Sequence, residues 1–213
     1  MEINYTKKDF WLAILAGELV TWLSLPTLKN IKILDTLAER GIGLNLFVVF
    51  WAILIPAGAI FGLYLFYLTA KYKNQIGLLQ MGKYGVIGVL NTFLNAGIYN
   101  FLIFAFDVAS GFIIDLFFVI AFVITVINSF FWNRYWAFGG TGTETIGKDA
   151  FQFFFVSGIV AVLNTGLLHF IINIIGAPTS IDPKIWANVA LIFAIIVAFL
   201  GNFFGYKFIV FKK

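Results

Sequence analysis

Cysteine is absent from the sequence, which removes disulfides, thiolate nucleophiles and thiolate metal sites and leaves the redox compartment open. Histidine occurs once, as His169, so a metal centre would lack a second imidazole, and no metal or cofactor is expected. Charge is nearly as scarce. Only 11% of the residues are Asp, Glu, Lys or Arg, against about 25% in an ordinary globular domain. Also missing are a nucleophile elbow, a phosphate-binding P-loop and a carboxylate dyad. The polar segments are too short to hold a sugar nucleotide, so catalysis of bond making is not expected.

What is present is apolar. The 213 residues are 62% hydrophobic and 19% aromatic. A soluble fold could not cover such a core with polar surface, and the solvent must be lipid. A spanning helix needs about 20 mostly apolar residues. Six runs meet or approach that length, at approximately 10–26, 44–70, 82–106, 112–134, 151–176 and 185–210. None shows sustained alternation of period two, so the fold class is all-α, a polytopic membrane protein of about six transmembrane helices. The first run follows Lys7 and Lys8 but ends in "LSLPTLKN". That stretch holds no small-x-small cleavage site, so it reads as a retained span. Between runs lie "KNIKILDTLAERGIG", "KYKNQIG", "GGTGTETIGKD" and "GAPTSIDPK". The Gly/Thr-rich stretch 139–149 reads as a loop.

The net charge of +4 reports orientation rather than affinity for nucleic acid. With both termini in the cytoplasm, Lys7, Lys8, Lys71, Lys73, Lys83, Arg134, Lys148, Lys207, Lys212 and Lys213 fall inside, and Lys29, Lys32, Arg40 and Lys184 fall outside. Ten against four places both ends on the cytoplasmic side by the positive-inside rule.

The chain also repeats itself. "GVIGVLNT" (85–92) recurs as "GIVAVLNT" (158–165), and the same shift pairs "SFFWNRYWAF" (129–138) with "NFFGYKFIVF" (202–211). The repeated unit is a helical hairpin, about 81–138 and about 151–211. An even number of spans returns the chain to its starting side, so the expected arrangement is a tandem parallel repeat of two hairpins. Residues 1–78 read as an accessory N-terminal hairpin, and 79–213 as the repeat domain.

Polar residues fall on particular helix faces. Gly88, Asn91, Asn95 and Tyr99 recur every three or four positions. Ala161, Thr165, His169 and Asn173 do the same, flanked by Asn164, and the intervening helix supplies Thr125, Asn128, Ser129 and Asn133. Such residues also join helices to one another in bilayers, at about 0.6 kcal/mol per interaction. Glu18 and His169 are the ionisable side chains that fall well inside the expected hydrocarbon, where such groups are functional candidates. Glu18 is open to four readings: protonated and neutral, paired with His169, a proton-coupling site, or simply nearer the surface because the first span is short and tilted.

At these motifs the chain resembles the GtrA-like family of small membrane proteins. Gly88, Asn91 and Thr92 match its Gly-x-x-Asn-Thr-x-x-Asp segment. Asn133, Arg134, Trp136 and Phe138 match the end of its closing Asn-Phe-x-x-Asn-Arg-x-Trp-x-Phe. In the second hairpin Asn202, Phe203 and Phe211 match, with Lys207 in place of the arginine. Asn95 stands where the pattern has Asp, Ser129 where it has Asn, and Tyr206 where it has the second Asn. The resemblance covers roughly 80–213.

The resemblance implies a role in cell-surface polysaccharide synthesis at the cytoplasmic membrane. Its leading form is the flipping of a polyprenyl-phosphate-linked monosaccharide. A second form is a non-transporting anchor or partner subunit for a polyprenyl-phosphate glycosyltransferase. Apart from the resemblance, a small-solute exporter is a third reading, since small four-helix transporters share this scale. The partners implied are the sugar lipid, membrane lipid, a membrane-associated glycosyltransferase and, left open, a second copy of the chain. Stranding the substrate's phosphate in hydrocarbon would cost on the order of 20 kcal/mol by a Born argument, so a flippase needs a polar track. Arg134, whose planar guanidinium grips phosphate oxygens in pairs, and Lys83 are its phosphate candidates. Asn91, Asn95, Asn128, Asn133, Asn164 and His169 are its sugar candidates, because amides both donate and accept.

Overall fold

The computed structural model describes residues 3–138 and 146–205. Among them the secondary structure is entirely helical. The elements are α1 (Lys7–Asn30), α2 (Ile33–Glu39), α3 (Leu44–Lys73), α4 (Ile76–Phe106), α5 (Phe112–Trp132), α6 (Ile146–His169) and α7 (Pro183–Gly205). A π-helical turn, Asn133–Ala137, extends α5, and a second, Phe170–Ile175, extends α6. Among the described residues five helices are long and apolar enough to cross a membrane, and α7 contributes the shorter apolar stretch Pro183–Val197. The chain is a multi-pass membrane protein.

The expected runs and the observed helices agree closely, and the differences have local causes. Helix α1 begins three residues earlier than its apolar run because Thr6 and Asp9 form a reciprocal capping box. It also continues through Pro26 to Asn30. Within that helix Thr21 Oγ1 bonds the Gly17 carbonyl and Ser24 Oγ the Thr21 carbonyl. The segment expected to be only a connection contains α2, entered through Lys32 at φ +63° and tied back by an exposed Lys29–Asp35 ion pair of 2.6 Å. Residues 139–145 of the expected Gly/Thr loop lie outside the described residues, and 146–149 are helical. Lys207, Phe211 and the rest of the second closing motif from Tyr206 onward also lie outside them.

The chain divides into two compact units, Met1–Leu94 with Asn128–Thr141, and Asn95–Ile127 with Gly142–Lys213. In the first unit α1 and α3 meet at a point where no side chain fits. A Cβ on Gly17 would lie 2.4 Å from Pro56 Cα, so glycine is required there. Leu63, Ala70, Leu79, Ile87 and Trp136 form one buried cluster of this unit, and Ala16, Val20 and Leu90 form another. Trp51 Nε1 donates to Ser24 Oγ at 3.0 Å, a further tie between α3 and α1.

In the second unit the core is Tyr99 and Ile103 from α4, Ile114, Phe117, Phe118 and Ala121 from α5, Leu168 from α6, and Ala187, Ala190, Leu191 and Ala194 from α7. The alanines of α7 repeat at helical spacing and allow close packing, as small residues do between membrane helices. Asn100 and Asn188 pair face to face inside this core, each amide nitrogen 2.8 Å from the other's oxygen.

Candidate functional site

In the first unit, donors from three elements converge on one carboxylate. Asp9 is 2% exposed. Its Oδ1 accepts from Lys83 Nζ at 2.6 Å and from Trp136 Nε1 at 2.9 Å. Its Oδ2 accepts from the Thr6 hydroxyl at 2.8 Å and the Thr6 backbone N–H at 3.0 Å. The capping box places Asp9 at the start of α1, Lys83 comes from the second turn of α4, and Trp136 from the π-helical turn that follows α5. That turn is closed by the Phe138 N–H on the Asn133 carbonyl, 3.0 Å, a five-residue reach that rotates Trp136 inward. Lys8 Nζ bonds the Tyr135 carbonyl at 3.3 Å and adds a second tie between α1 and this turn. Burial, and secondarily the Asp9 carboxylate, push the Tyr5 hydroxyl above the ordinary phenol range.

Higher in the same unit, Asn91 and Asn128 join α4 to α5. Asn128 Nδ2 donates to Asn91 Oδ1 at 2.8 Å. Asn133 Nδ2 donates one turn back to Ser129 Oγ at 3.2 Å. Beside them α1, α3 and α4 enclose a cleft of about 580 Å³, within the range of about 300–1,000 Å³ found for ligand pockets. Its lining is apolar, and Gly58, Gly62 and Gly85 keep it open, with nothing within 4 Å of where their Cβ atoms would stand.

The second unit contains a different kind of polarity. Asp115, in the first turn of α5, lies 2.6 Å from His169 Nδ1 at the end of α6. Asn173 Nδ2 is 3.1 Å from the same nitrogen, and Asn173 Oδ1 accepts from the Gly111 N–H at 2.6 Å. Gly111 has φ +79°, a conformation that carries this loop N–H to the amide and suits glycine. The π-helical segment after His169 places the Ile171 carbonyl within 3.0 Å of Trp186 Nε1. Several buried polar atoms have no hydrogen-bond partner among the described residues: both amide atoms of Asn164, Asn95 Oδ1, the Tyr99 hydroxyl and Asp115 Oδ1. Asn164 is fully buried. Buried polar atoms are nearly always satisfied by protein, water or ligand.

The stretch 83–211, more than half of the chain, matches the family model described as GtrA/DPMS, transmembrane domain. The chain belongs to the GtrA/DPMS family. Neither the curated proteins nor the solved structures give a match. Membership makes it a membrane protein of a family involved in handling glycan precursors. Lys83 and Trp136 fall inside the matched stretch, whereas Asp9 falls outside it.

The candidate residues thus take distinct positions in this GtrA/DPMS protein. Lys83 is held by Asp9, Asn91 and Asn128 hold each other, and Asn133 and Arg134 lie in the π-helical turn. Asn95 and Asn164 are buried, and Asn95 Oδ1 and both amide atoms of Asn164 have no partner among the described residues. His169 has Asp115 as its acidic neighbour. Glu18 stands half-buried on α1 with no ion-pair partner among the described residues. Asp9 and Asp115 were not expected. Each lies within four residues of a helix start, where an acid reads as a favourable first-turn charge, and neither partner is near in sequence.

Proposed function

We propose that the protein flips a polyprenyl-phosphate-linked monosaccharide across the cytoplasmic membrane for cell-surface polysaccharide assembly, with both termini cytoplasmic and no bond-making chemistry of its own. Arg134, with Lys83, receives the phosphate at the inner leaflet. The amides of Asn91, Asn95, Asn128, Asn133 and Asn164, with His169, exchange hydrogen bonds with sugar hydroxyls as the head group passes. The isoprenoid tail stays outside that polar track.

The observation that carries this reading is the fully buried Asn164, whose amide nitrogen and oxygen both lack a partner among the described residues. Leaving a buried donor or acceptor unsatisfied costs about 1–3 kcal/mol. Such an expense is sensible where a hydroxyl-rich ligand intermittently supplies the missing bonds. Family membership supports a glycan precursor as the substrate, and the guanidinium fork of Arg134 suits a phosphate.

The test is sugar-lipid crossing in vesicles reconstituted with the purified protein. Wild type should accelerate crossing over protein-free vesicles, and Asn164→Leu and Arg134→Gln should each slow it at equal protein content. If wild type has no effect on crossing, and a co-expressed glycosyltransferase loses its membrane attachment without it, the anchor reading replaces this one.

A further inference from the structure

The donors around Asp9 and the neighbouring cleft suggest how the accessory hairpin participates. Lys83 Nζ and Trp136 Nε1 meet at one anionic oxygen, Asp9 Oδ1. A cation and an indole N–H converging on a single acceptor describe a site for an anion. Here the anion is supplied by a residue outside the family-matched stretch, and both donors lie inside it. Lys83 is flanked by Gly82 and Gly85, and both of those glycines line the apolar cleft. The rest of the lining comes from α1 and α3, chiefly Leu54, Ile55, Gly58 and Gly62, and from Val86, Val89 and Phe93 of α4. An anion site beside an apolar cleft has the form of an amphiphile's receptor.

We propose that Lys83 and Trp136 bind the phosphate of an isoprenyl phosphate, that its tail lies in the cleft between the accessory hairpin and α4, and that Asp9 occupies the phosphate position when the ligand is away. Asp9 is thus an internal competitor. Two carboxylate oxygens with four donors imitate two phosphate oxygens, and the first turn of α1 must release Lys83 before the ligand can take it. The proposal rests on the substrate class given above. It adds Trp136 as a donor beside Lys83, a location for the tail, and a latch.

Equilibrium binding to the full-length purified protein tests this without requiring transport. The probe is farnesyl monophosphate, measured by tryptophan fluorescence and by the rise in thermal unfolding temperature. Asp9→Asn should bind it at least about tenfold more tightly than wild type, as expected when a charge-assisted competitor is removed. Adding Lys83→Gln should abolish that gain. Gly62→Leu, whose new side chain enters a space with nothing within 4 Å of the Cβ, should weaken farnesyl phosphate without altering the response to inorganic phosphate. Equal or weaker binding by Asp9→Asn overturns the latch, and indifference to Gly62→Leu overturns the tail site. Tighter binding of dodecyl phosphate, or of phosphatidylglycerol in vesicles, overturns the isoprenoid assignment. Should Asp9→Asn fail to fold, Thr6→Val removes one bond to the carboxylate while keeping both charges. It must then show a smaller gain in affinity, and none at all refutes the proposal. Crossing without binding at this site would sink the latch and leave translocation standing. Binding without crossing would do the reverse.

Discussion

The Asn100–Asn188 pair permits a quantitative prediction. Each side chain donates to and accepts from the other at 2.8 Å, and each also keeps a local bond, Asn100 Nδ2 to the Ala96 carbonyl and Asn188 Nδ2 to the Lys184 carbonyl, both 2.9 Å. Replacing either residue by alanine removes the same two interhelical bonds. Interhelical hydrogen bonds in membranes average about 0.6 kcal/mol each, so the shared loss is about 1.2 kcal/mol. Each single variant should therefore lose at least that, plus about 1–3 kcal/mol where it strands a buried acceptor. The double variant loses the two shared bonds once and strands neither acceptor, so the coupling energy should be at least about 1.2 kcal/mol, roughly eightfold in the unfolding equilibrium, and larger by whatever the stranded acceptors cost the single variants. Steric trapping in bicelles, with one tag on α4 and one on α7, reads the four corners of the cycle. Additivity within about 0.3 kcal/mol would show that the two amides do not sense each other. The reciprocal geometry would then have to be abandoned.

Other perturbations probe other contacts. Gly17→Ala drives a methyl into Pro56 and should destabilise the α1–α3 contact by about 1–3 kcal/mol, whereas Gly58→Ala, with nothing within 4 Å, should be close to silent in the same unfolding assay. Asp115→Asn alters the 2.6 Å contact with His169 of an acid that is 8% exposed and should lower stability by more than about 1 kcal/mol, while Asp35→Asn, in a pair about half exposed on both sides, should change it by about 0.2–1 kcal/mol. Equal effects would contradict the burial argument. Trp186→Phe deletes the N–H that meets the Ile171 carbonyl, and hydrogen exchange at residues 170–175 should quicken relative to the rest of α6.

The membrane spans were legible because composition and run length decide them. Leu44–Lys73 matches its apolar run to within three residues and Ile76–Phe106 to within six, since lipid leaves the backbone few alternatives to the helix. The polar stripe was legible as a set of residues, but its pairing was not. Asn91 meets Asn128 across 37 positions and Asn100 meets Asn188 across 88, and helical periodicity says nothing about which faces meet. Asp9 illustrates the same limit more sharply. Its local role in the capping box is visible in Thr6-x-x-Asp9, yet Lys83 and Trp136 lie 74 and 127 residues away. The π-helical turns were also invisible, because they shift side-chain direction without changing hydropathy.

Helix α3 has one more consequence. Its 30 residues rise about 45 Å at 1.5 Å each, against a hydrocarbon thickness of about 30 Å, and only 11% of its most apolar window is buried within the protein. So much bare, over-long apolar surface must lean, or else stretch the lipids around it, with Lys71 and Lys73 reaching for the headgroups. Acyl-chain length then becomes a control variable. In thin bilayers α3 must tilt more steeply, and the cleft it shares with α1 and α4 should change width with it.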